Sequence, residues 1–351
     1  MSWYTELARP EIQALTAYEH ASWEPGLVRL HANELPWRSP ADATTAGLNR
    51  YPEPHPLEFA ARLAPLYGVA PACVLPGRGS DEGIDLLLRA YCRAGLDAVI
   101  ICPPTFGMYA VTARIQGAGI IEVPLRRDRG YGLDVEAVLA ALTPRVKLAF
   151  VCTPNNPTGN ALAAADILRL ADALSGRALL VIDEAYADFA GAPSAAALIG
   201  RYPGLVVLRT LSKAYGLAGA RCGVLLADPA IVGLLRRVIQ PYAVTQLTIE
   251  AVQRALEPAA LAVMRERVAS IIAERGRVAA ALAALPGVHK VWPSAANFLL
   301  VEFADAAAAV ERTRTAGLLV RDFRRTPGLE RALRISIGSA EQNERLLRSL
   351  A

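Results

Sequence analysis

The stretch Thr210-Leu-Ser-Lys213-Ala-Tyr-Gly-Leu-Ala-Gly-Ala-Arg221-Cys-Gly223 sets one lysine among small and apolar residues, with an arginine a short way on. Just before it, Val206-Val-Leu-Arg-Thr210 reads as a short buried strand. Lysine is seldom buried unless it is paired or chemically used. At a strand end, in a Gly-rich loop, a partly desolvated amine gives up its proton more readily and becomes a nucleophile. An isolated Ser-Lys pair is also an ordinary surface feature, so the rest of the chain must decide.

A second stretch, Val181-Ile-Asp183-Glu-Ala-Tyr186, offers an acid. A lysine nucleophile with such an acid suits a Schiff base with pyridoxal phosphate (PLP), whose ring nitrogen needs an acid opposite it. Further apolar runs, at Ala98–Cys102, Gly119–Val123, Lys147–Cys152, Ala178–Ile182 and Gly223–Ala227, alternate with helical stretches at Met108–Gly117, Val135–Leu142 and Ala161–Ser175. That alternation predicts an α/β fold with a mainly parallel sheet covered on both faces. Sites on such sheets lie beyond the carboxyl ends of the strands. Polar loops fall there: Thr105-Phe-Gly-Met-Tyr109, Thr153-Pro-Asn155-Asn156-Pro157-Thr-Gly159, Asp183 and Ser212-Lys213. Gly77-Arg-Gly79-Ser80-Asp81-Glu82-Gly83 reads as a glycine turn opening a helix, with Ser80 as its N-cap. A helix start with small residues can seat a phosphate on its free N–H groups.

Upstream, residues 1–40 are expected to form an irregular N-terminal arm, with a short helix beginning at Glu11. Tyr18 lies in this arm. Val28-Arg-Leu-His-Ala-Asn33-Glu34-Leu-Pro36 reads as extended, and Tyr51-Pro-Glu-Pro-His-Pro56 as a stiff, non-helical connector. Downstream of Pro241 the pattern changes. A long helical region over Thr245–Leu285, interrupted near Pro258, leads to strands at Lys290–Trp292, Asn297–Phe303, Gly317–Arg321 and Ala332–Ile337. A helix over Asp305–Ala316 and a last one with a capping box at Ser339 complete a smaller α+β unit. The division expected is an arm (1–40), a large domain (41–243) and a small one (244–351, with part of the arm).

The 351 residues are 53% hydrophobic and 20% charged, which fits a globular chain large enough for two domains. A net charge of +4 with no Lys/Arg block gives no case for nucleic acid. Five scattered cysteines without a CxxC point to a reducing compartment, and the four histidines show no metal-ligand spacing. The first residues lack a basic segment followed by an apolar one, and no apolar run reaches membrane-spanning length, so a cytoplasmic location is expected.

Taken together, the chain resembles the fold-type I PLP-dependent aminotransferases, and within them the histidinol-phosphate branch. The resemblance runs from about Ala8 to the C-terminus. Widely shared motifs are Gly79-Ser-Asp-Glu-Gly83, Asn155-Asn-Pro-Thr-Gly159, Asp183-Glu-Ala-Tyr186, Thr210-Leu-Ser-Lys-Ala-Tyr215 and Gly219-Ala-Arg-Cys-Gly223. Asn49-Arg-Tyr-Pro-Glu-Pro54 and Cys102-Pro-Pro-Thr-Phe-Gly-Met-Tyr109 narrow it to the branch. Tyr215, Gly216 and Ser80 depart mildly from the usual pattern without removing a catalytic group.

The resemblance implies a seven-stranded-type sheet in the large domain and a set of roles. Lys213 would carry the cofactor and move the proton. Asp183 would pair with the ring nitrogen, Tyr186 and Asn156 would bond the ring hydroxyl oxygen, and Tyr109 would stack on the ring. Ser80, Asp81, Ser212 and Arg221 would surround the phosphate, joined by Tyr51 from a second subunit, which makes a homodimer. Arg334, Arg321, Asn33, Tyr18 and Asn156 would face the substrate. The implied reaction is transamination between L-histidinol phosphate and 2-oxoglutarate, as a step in histidine biosynthesis. Rival readings on the same frame are an aminotransferase of aromatic or broad specificity and a PLP-dependent threonine-phosphate decarboxylase.

Overall fold

A computed structural model of the chain describes residues 2–20, 24 and 26–351. Of the expected N-terminal arm, residues 1, 21–23 and 25 lie outside the described residues. Seven strands build the larger sheet: β1 (Val74–Gly77), β2 (Ala98–Ile101), β3 (Gly119–Glu122), β4 (Val146–Cys152), β5 (Leu179–Asp183), β6 (Leu205–Thr210) and β7 (Gly223–Leu226). Their order is β1-β7-β6-β5-β4-β2-β3. The neighbours from β6 through β3 are all parallel, whereas β7 runs antiparallel to both β6 and β1. All residues of β2, β5, β6 and β7 are buried, as expected of strands covered on both faces.

The arm carries two short helices, α1 (Trp3–Glu6) and α2 (Pro10–Gln13), the second where the sequence suggests one. Then come α3 (Leu57–Tyr67), α4 (Ser80–Tyr91), α5 (Met108–Gln116), α6 (Val135–Ala140), α7 (Ala164–Leu174) and α8 (Pro229–Leu235). Helix α3 buries Phe59, Ala60, Leu63, Ala64 and Tyr67, a stripe at helical spacing that joins the core on one face of the sheet. Helix α4 packs on the other face, with Leu86–Leu88 in a second apolar cluster that includes Phe150 and Leu208.

The expected long helix divides at the predicted proline into α9 (Gln246–Ala255) and α10 (Pro258–Ala283), with Pro258 in the first turn of α10. The second sheet has order β10-β11-β9-β8, all antiparallel, from β8 (Val288–Val291), β9 (Phe298–Phe303), β10 (Arg321–Asp322) and β11 (Ala332–Ser336). Helices α11 (Ala306–Thr315) and α12 (Ala340–Leu350) cover it, and the Ser339–Gln342 capping box is formed.

The strand expected over Gly317–Arg321 shrinks to β10 alone. Gly317, at φ 70°, and Leu318 close the end of α11: their N–H groups donate to Arg314 and Thr313 at 2.8 Å each. A helix stop of this kind uses the residues that the apolar pattern assigns to a strand. Among the described residues no helix is long and apolar enough to cross a membrane.

Candidate active site

Strands β2, β4, β5 and β6 run the same way, so the loops that follow them gather along one edge of the sheet. Because β7 is reversed, its first residue shares this edge: Gly223 stands opposite both Thr210 of β6 and Gly77 of β1. A cavity of about 140 Å³ opens there. Its wall combines the start of α4 (Gly79, Ser80, Asp81), the strand ends at Cys152, Asp183 and Thr210, and the loop residues Asn156, Tyr186, Ser212, Lys213 and Arg221. A wider groove of about 820 Å³ shares Lys213 and runs on past Tyr215 and Met264 along α10.

Asp183 closes β5 and is 2% exposed. Its Oδ2 accepts from the Tyr109 hydroxyl at 2.6 Å and its Oδ1 from the Ala185 N–H at 3.0 Å. Among the described residues no cation lies within ion-pair distance of it. Burial raises the Asp183 pKa; the two hydrogen bonds oppose this, and the nearby Asp81 and Glu184 reinforce it. Such a carboxylate calls for a cationic or N–H partner from outside the chain. Across the cavity, burial lowers the Lys213 pKa, with Arg334 and Arg221 adding and Asp81 and Asp183 opposing. Its Nζ stands 5.6 Å from the centre of the Tyr186 ring. Just outside the cavity, Arg209 clamps the loop after β5, donating to Glu184 at 3.1 Å and to Asp188 at 2.8 Å.

The opposite end is shaped for a phosphate. Gly79 is the N-cap of α4, at φ 83° and with no side-chain cap, so Ser80 is the first helical residue rather than the cap expected from sequence. Only a glycine suits that backbone, and a Cβ there would come within 2.7 Å of Arg221 Nη2. A Cβ on Gly223 would lie 2.4 Å from the Gly79 carbonyl carbon and from the Ser80 nitrogen. The two glycines let β7 and Arg221 close on the helix start, whose first N–H groups have no partner within the helix. Arg221 Nη2 meets Asp81 at 3.3 Å, and the Thr210 hydroxyl donates to Ser212 Oγ at 3.0 Å.

Tyr109 does not lie over the cavity. As the second residue of α5 it turns inward, fully buried, and its ring stacks on Phe150 at 5.0 Å. The aromatic that lines the cavity is Phe106, in the loop just before the helix. The sequence reading named the motif but took its last aromatic for the facing one. It also passed over Cys152 and Thr210 in the wall, which look like ordinary strand residues.

Asn156 faces the cavity because its neighbour Asn155 ties down the loop, accepting from Thr105 at 2.9 Å and donating to Pro104 at 2.8 Å. From β11, Arg334 reaches across to donate from Nη1 to Asn156 Oδ1. Its Nε is buried without a partner among the described residues, and its guanidinium sits 5.2 and 5.7 Å from the Phe298 and Phe323 ring centres. Burial lowers the Arg334 pKa, Tyr186 opposes, and Arg321 lowers it further. Arg321 stands directly opposite Arg334 in the β10–β11 pair. Neither arginine has an acidic partner among the described residues. Three expected residues lie away from the chain's own cavity: Tyr18 and Tyr51 are 71% and 51% exposed, and Asn33 is exposed in a left-handed turn at φ 58°.

The donor set matches PLP part by part. A buried carboxylate suits a ring N–H, an amine at the cavity wall suits the carbonyl carbon, and an arginine with a bare helix start suits the phosphate. This combination on a mainly parallel sheet defines a fold-type I PLP-dependent transferase. A match to the family described as "Aminotransferase class I and II" spans residues 29–350, and the chain belongs to that family. It is 52% identical, over 98% of its length and 96% of the relative's, to the histidinol-phosphate aminotransferase of Stenotrophomonas maltophilia (strain R551-3). The solved histidinol-phosphate aminotransferase of Sinorhizobium meliloti, in complex with pyridoxal-5′-phosphate, superposes with a TM-score of 0.77 at 28% identity, covering 86% of this chain and 82% of that one. The L-threonine-O-3-phosphate decarboxylase of Porphyromonas gingivalis superposes with a TM-score of 0.74 at 25% identity, covering 86% and 90%.

Proposed function

We propose that the chain transfers an amino group between L-histidinol phosphate and 2-oxoglutarate, giving 3-(imidazol-4-yl)-2-oxopropyl phosphate and L-glutamate, as a cytoplasmic step of histidine biosynthesis. The observation that carries this reading is the arginine pair: Arg334, which donates to Asn156 of the cavity wall, stands opposite Arg321, and neither has an acidic partner among the described residues. Two like charges directly opposite on a sheet disfavour each other. A dianionic phosphate or a dicarboxylate relieves both.

PLP, when bound, supplies an electron-accepting ring that stores the amino group between the two half-reactions. Asp183 would accept from the ring N–H and keep it protonated, and the Lys213 amine would hold the cofactor and serve as the base that moves the substrate's proton. Burial favours the neutral amine that this requires. Asn156, whose Oδ1 is engaged by Arg334, has its amide N–H groups left for the ring oxygen, alongside the Tyr186 hydroxyl. Phe106 would cover the ring, and Ser80, Ser212, Arg221 and the α4 start would hold the phosphate, with Asp81 orienting Arg221. One site serves both halves, so the amino donor's product leaves before the acceptor enters.

Two copies form the working unit, with Tyr51 of each reaching the other's cofactor phosphate and Tyr18 and Asn33 closing over the substrate. Residues 41–243 act as the cofactor domain and 244–351 as the smaller domain that brings Arg321 and Arg334.

The test is to mix the cofactor-loaded protein with L-histidinol phosphate alone and follow the cofactor's absorption band. Conversion to the pyridoxamine form, reversed by 2-oxoglutarate, is expected. A band that shifts with phenylalanine but not with histidinol phosphate would replace the substrate. Carbon dioxide release from threonine phosphate without a keto acceptor would replace the reaction.

A further inference from the structure

Glu34 sits on the exposed N-terminal arm, yet its side chain is only 3% exposed. It follows Asn33, whose left-handed backbone turns the chain at that point; asparagine tolerates this conformation better than most residues. The turn carries the Glu34 carboxylate inward, against residues 50 and 51. One oxygen accepts from the Tyr51 N–H at 2.6 Å, and the other from Arg50 Nη1 at 2.9 Å. Arg29 approaches the first oxygen at 3.4 Å and donates to the Tyr51 carbonyl at 3.2 and 3.3 Å. Arg50 also donates to the Arg29 carbonyl at 3.3 Å, and Asn49 to the Leu35 carbonyl at 2.9 Å.

The clasp has one visible consequence. Both backbone groups of Tyr51 are taken up by the arm, and its ring is stacked on Tyr242 at 4.6 Å and 25°. Tyr242 is itself fixed, its N–H donating to Pro54 at 3.3 Å. The Tyr51 hydroxyl has no hydrogen-bond partner among the described residues, and Tyr51 is not part of the chain's own cavity wall. A tyrosine this restrained, half exposed, with an idle hydroxyl, is aimed at something outside the chain. An exposed side chain seldom holds one orientation without such restraints.

We propose that Glu34 is a positioning residue for cofactor binding: its carboxylate locks the Arg29–Arg50–Tyr51 cluster so that Tyr51 presents its hydroxyl to the phosphate held by a second copy of the chain. This rests on the reading that Tyr51 serves the neighbouring subunit's phosphate. Glu34 touches neither cofactor nor substrate and acts only through Tyr51. The motif pair Leu30-His-Ala-Asn-Glu34 and Asn49-Arg-Tyr51 is then one device, split by sequence and joined by the carboxylate.

The experiment is a double-mutant cycle on cofactor affinity. Cofactor-free wild type, E34A, Y51F and E34A/Y51F are titrated with PLP and the dissociation constant is read from fluorescence quenching. Sedimentation fixes a concentration at which every variant keeps the wild-type oligomeric state. Should E34A lose that state, E34Q takes its place, since it keeps an acceptor for the Tyr51 N–H but not the charge. Y51F is expected to weaken binding about tenfold or more, the scale of one hydrogen bond to a charged group. E34A is expected to weaken it comparably, and the double variant to bind no worse than Y51F alone. If Y51F weakens binding while E34A does not, or the two effects add in full, Glu34 has no positioning role and the Tyr51 reading stands. If Y51F binds as tightly as wild type, the Tyr51 reading itself falls, and the role of Glu34 falls with it.

Discussion

Replacing Asp183 with asparagine should have opposite effects on the cofactor-free and the cofactor-loaded protein. The carboxylate is buried, receives only the Tyr109 hydroxyl and the Ala185 N–H among the described residues, and has its pKa raised mainly by burial. In the unfolded chain the same group ionises near 3.8. A carboxyl with a folded pKa above its unfolded one keeps its proton longer in the native state. The native state therefore loses stability as pH climbs from the unfolded value through the folded one. Asparagine keeps the shape and carries no charge. Its carbonyl can still accept from Ala185, and the Tyr109 hydroxyl can turn from donor to acceptor to meet the amide. The cofactor-free variant should thus equal wild type near pH 4 and exceed it at pH 8, by about 1–3 kcal/mol, the usual cost of an imperfectly satisfied buried polar group. At ~2–4 °C per kcal/mol that is a rise of a few degrees in the melting midpoint, within reach of calorimetry. With the cofactor bound the sign reverses: the variant gains less from the cofactor, and turnover falls about 10²–10³-fold, the scale of one lost electrostatic group at a reacting centre. A cofactor-free variant less stable than wild type at pH 8 would refute the reasoning, because the carboxylate would then be fully satisfied by its two donors.

Lys213→Ala should abolish both half-reactions, and borohydride should no longer fix the cofactor to the protein; a retained covalent adduct, read by mass spectrometry, would place the attachment elsewhere. Arg334→Met should raise KM for glutamate and for histidinol phosphate by about 10-fold or more each, the scale of a charge-assisted hydrogen bond, whereas Arg321→Met should act mainly on the phosphorylated substrate. Steady-state kinetics with both substrates separate the two arginines. Gly223→Ala must displace the start of α4, since its Cβ would lie 2.4 Å from backbone atoms of Gly79 and Ser80. A loss of about 1–3 kcal/mol is expected in denaturant unfolding, with weakened binding of PLP, and of inorganic phosphate as a probe of the seat alone.

The parallel sheet was legible because its strands are buried on both faces and therefore read as short unbroken apolar runs, such as Leu179–Ile182. What the runs do not encode is direction. Gly223–Leu226 looks like its neighbours in sequence, yet it is reversed, and β1, with a proline and a glycine among its four residues, barely reads as a strand. The polar residues at the strand ends were legible for the opposite reason: Asp183 ends a buried run in which a charge is costly, and Lys213 follows another in a Gly-rich loop. Tyr109 and Phe106 were not separable by type. Their roles depend on the helix beginning at Met108, which sends position 109 toward the core and leaves position 106 in the loop. Ser80 likewise had the composition of a cap, but the left-handed backbone falls on Gly79 and moves the helix start by one residue.

The electrostatics of the cavity share one sign. Burial works against the charged form of Asp183, of Lys213 and of Arg334 alike. Opposite charges so close could neutralise one another, but no ion pair joins Asp183 to Lys213 or to Arg334, and Arg334 donates to the neutral Asn156 of the cavity wall. Asp183 is held back by Tyr109 and Ala185, and Arg334 is fixed between two phenylalanines. The fold keeps these charges apart by packing them into separate strands, β5 and β11, of different sheets. A ligand with an N–H to offer the acid, a carbon for the amine and an anionic substrate for the arginine relieves all three at once. Each group that the chain by itself leaves poorly satisfied therefore contributes to the affinity of the site, which is why Asp183→Asn should strengthen the cofactor-free protein and weaken its hold on the cofactor.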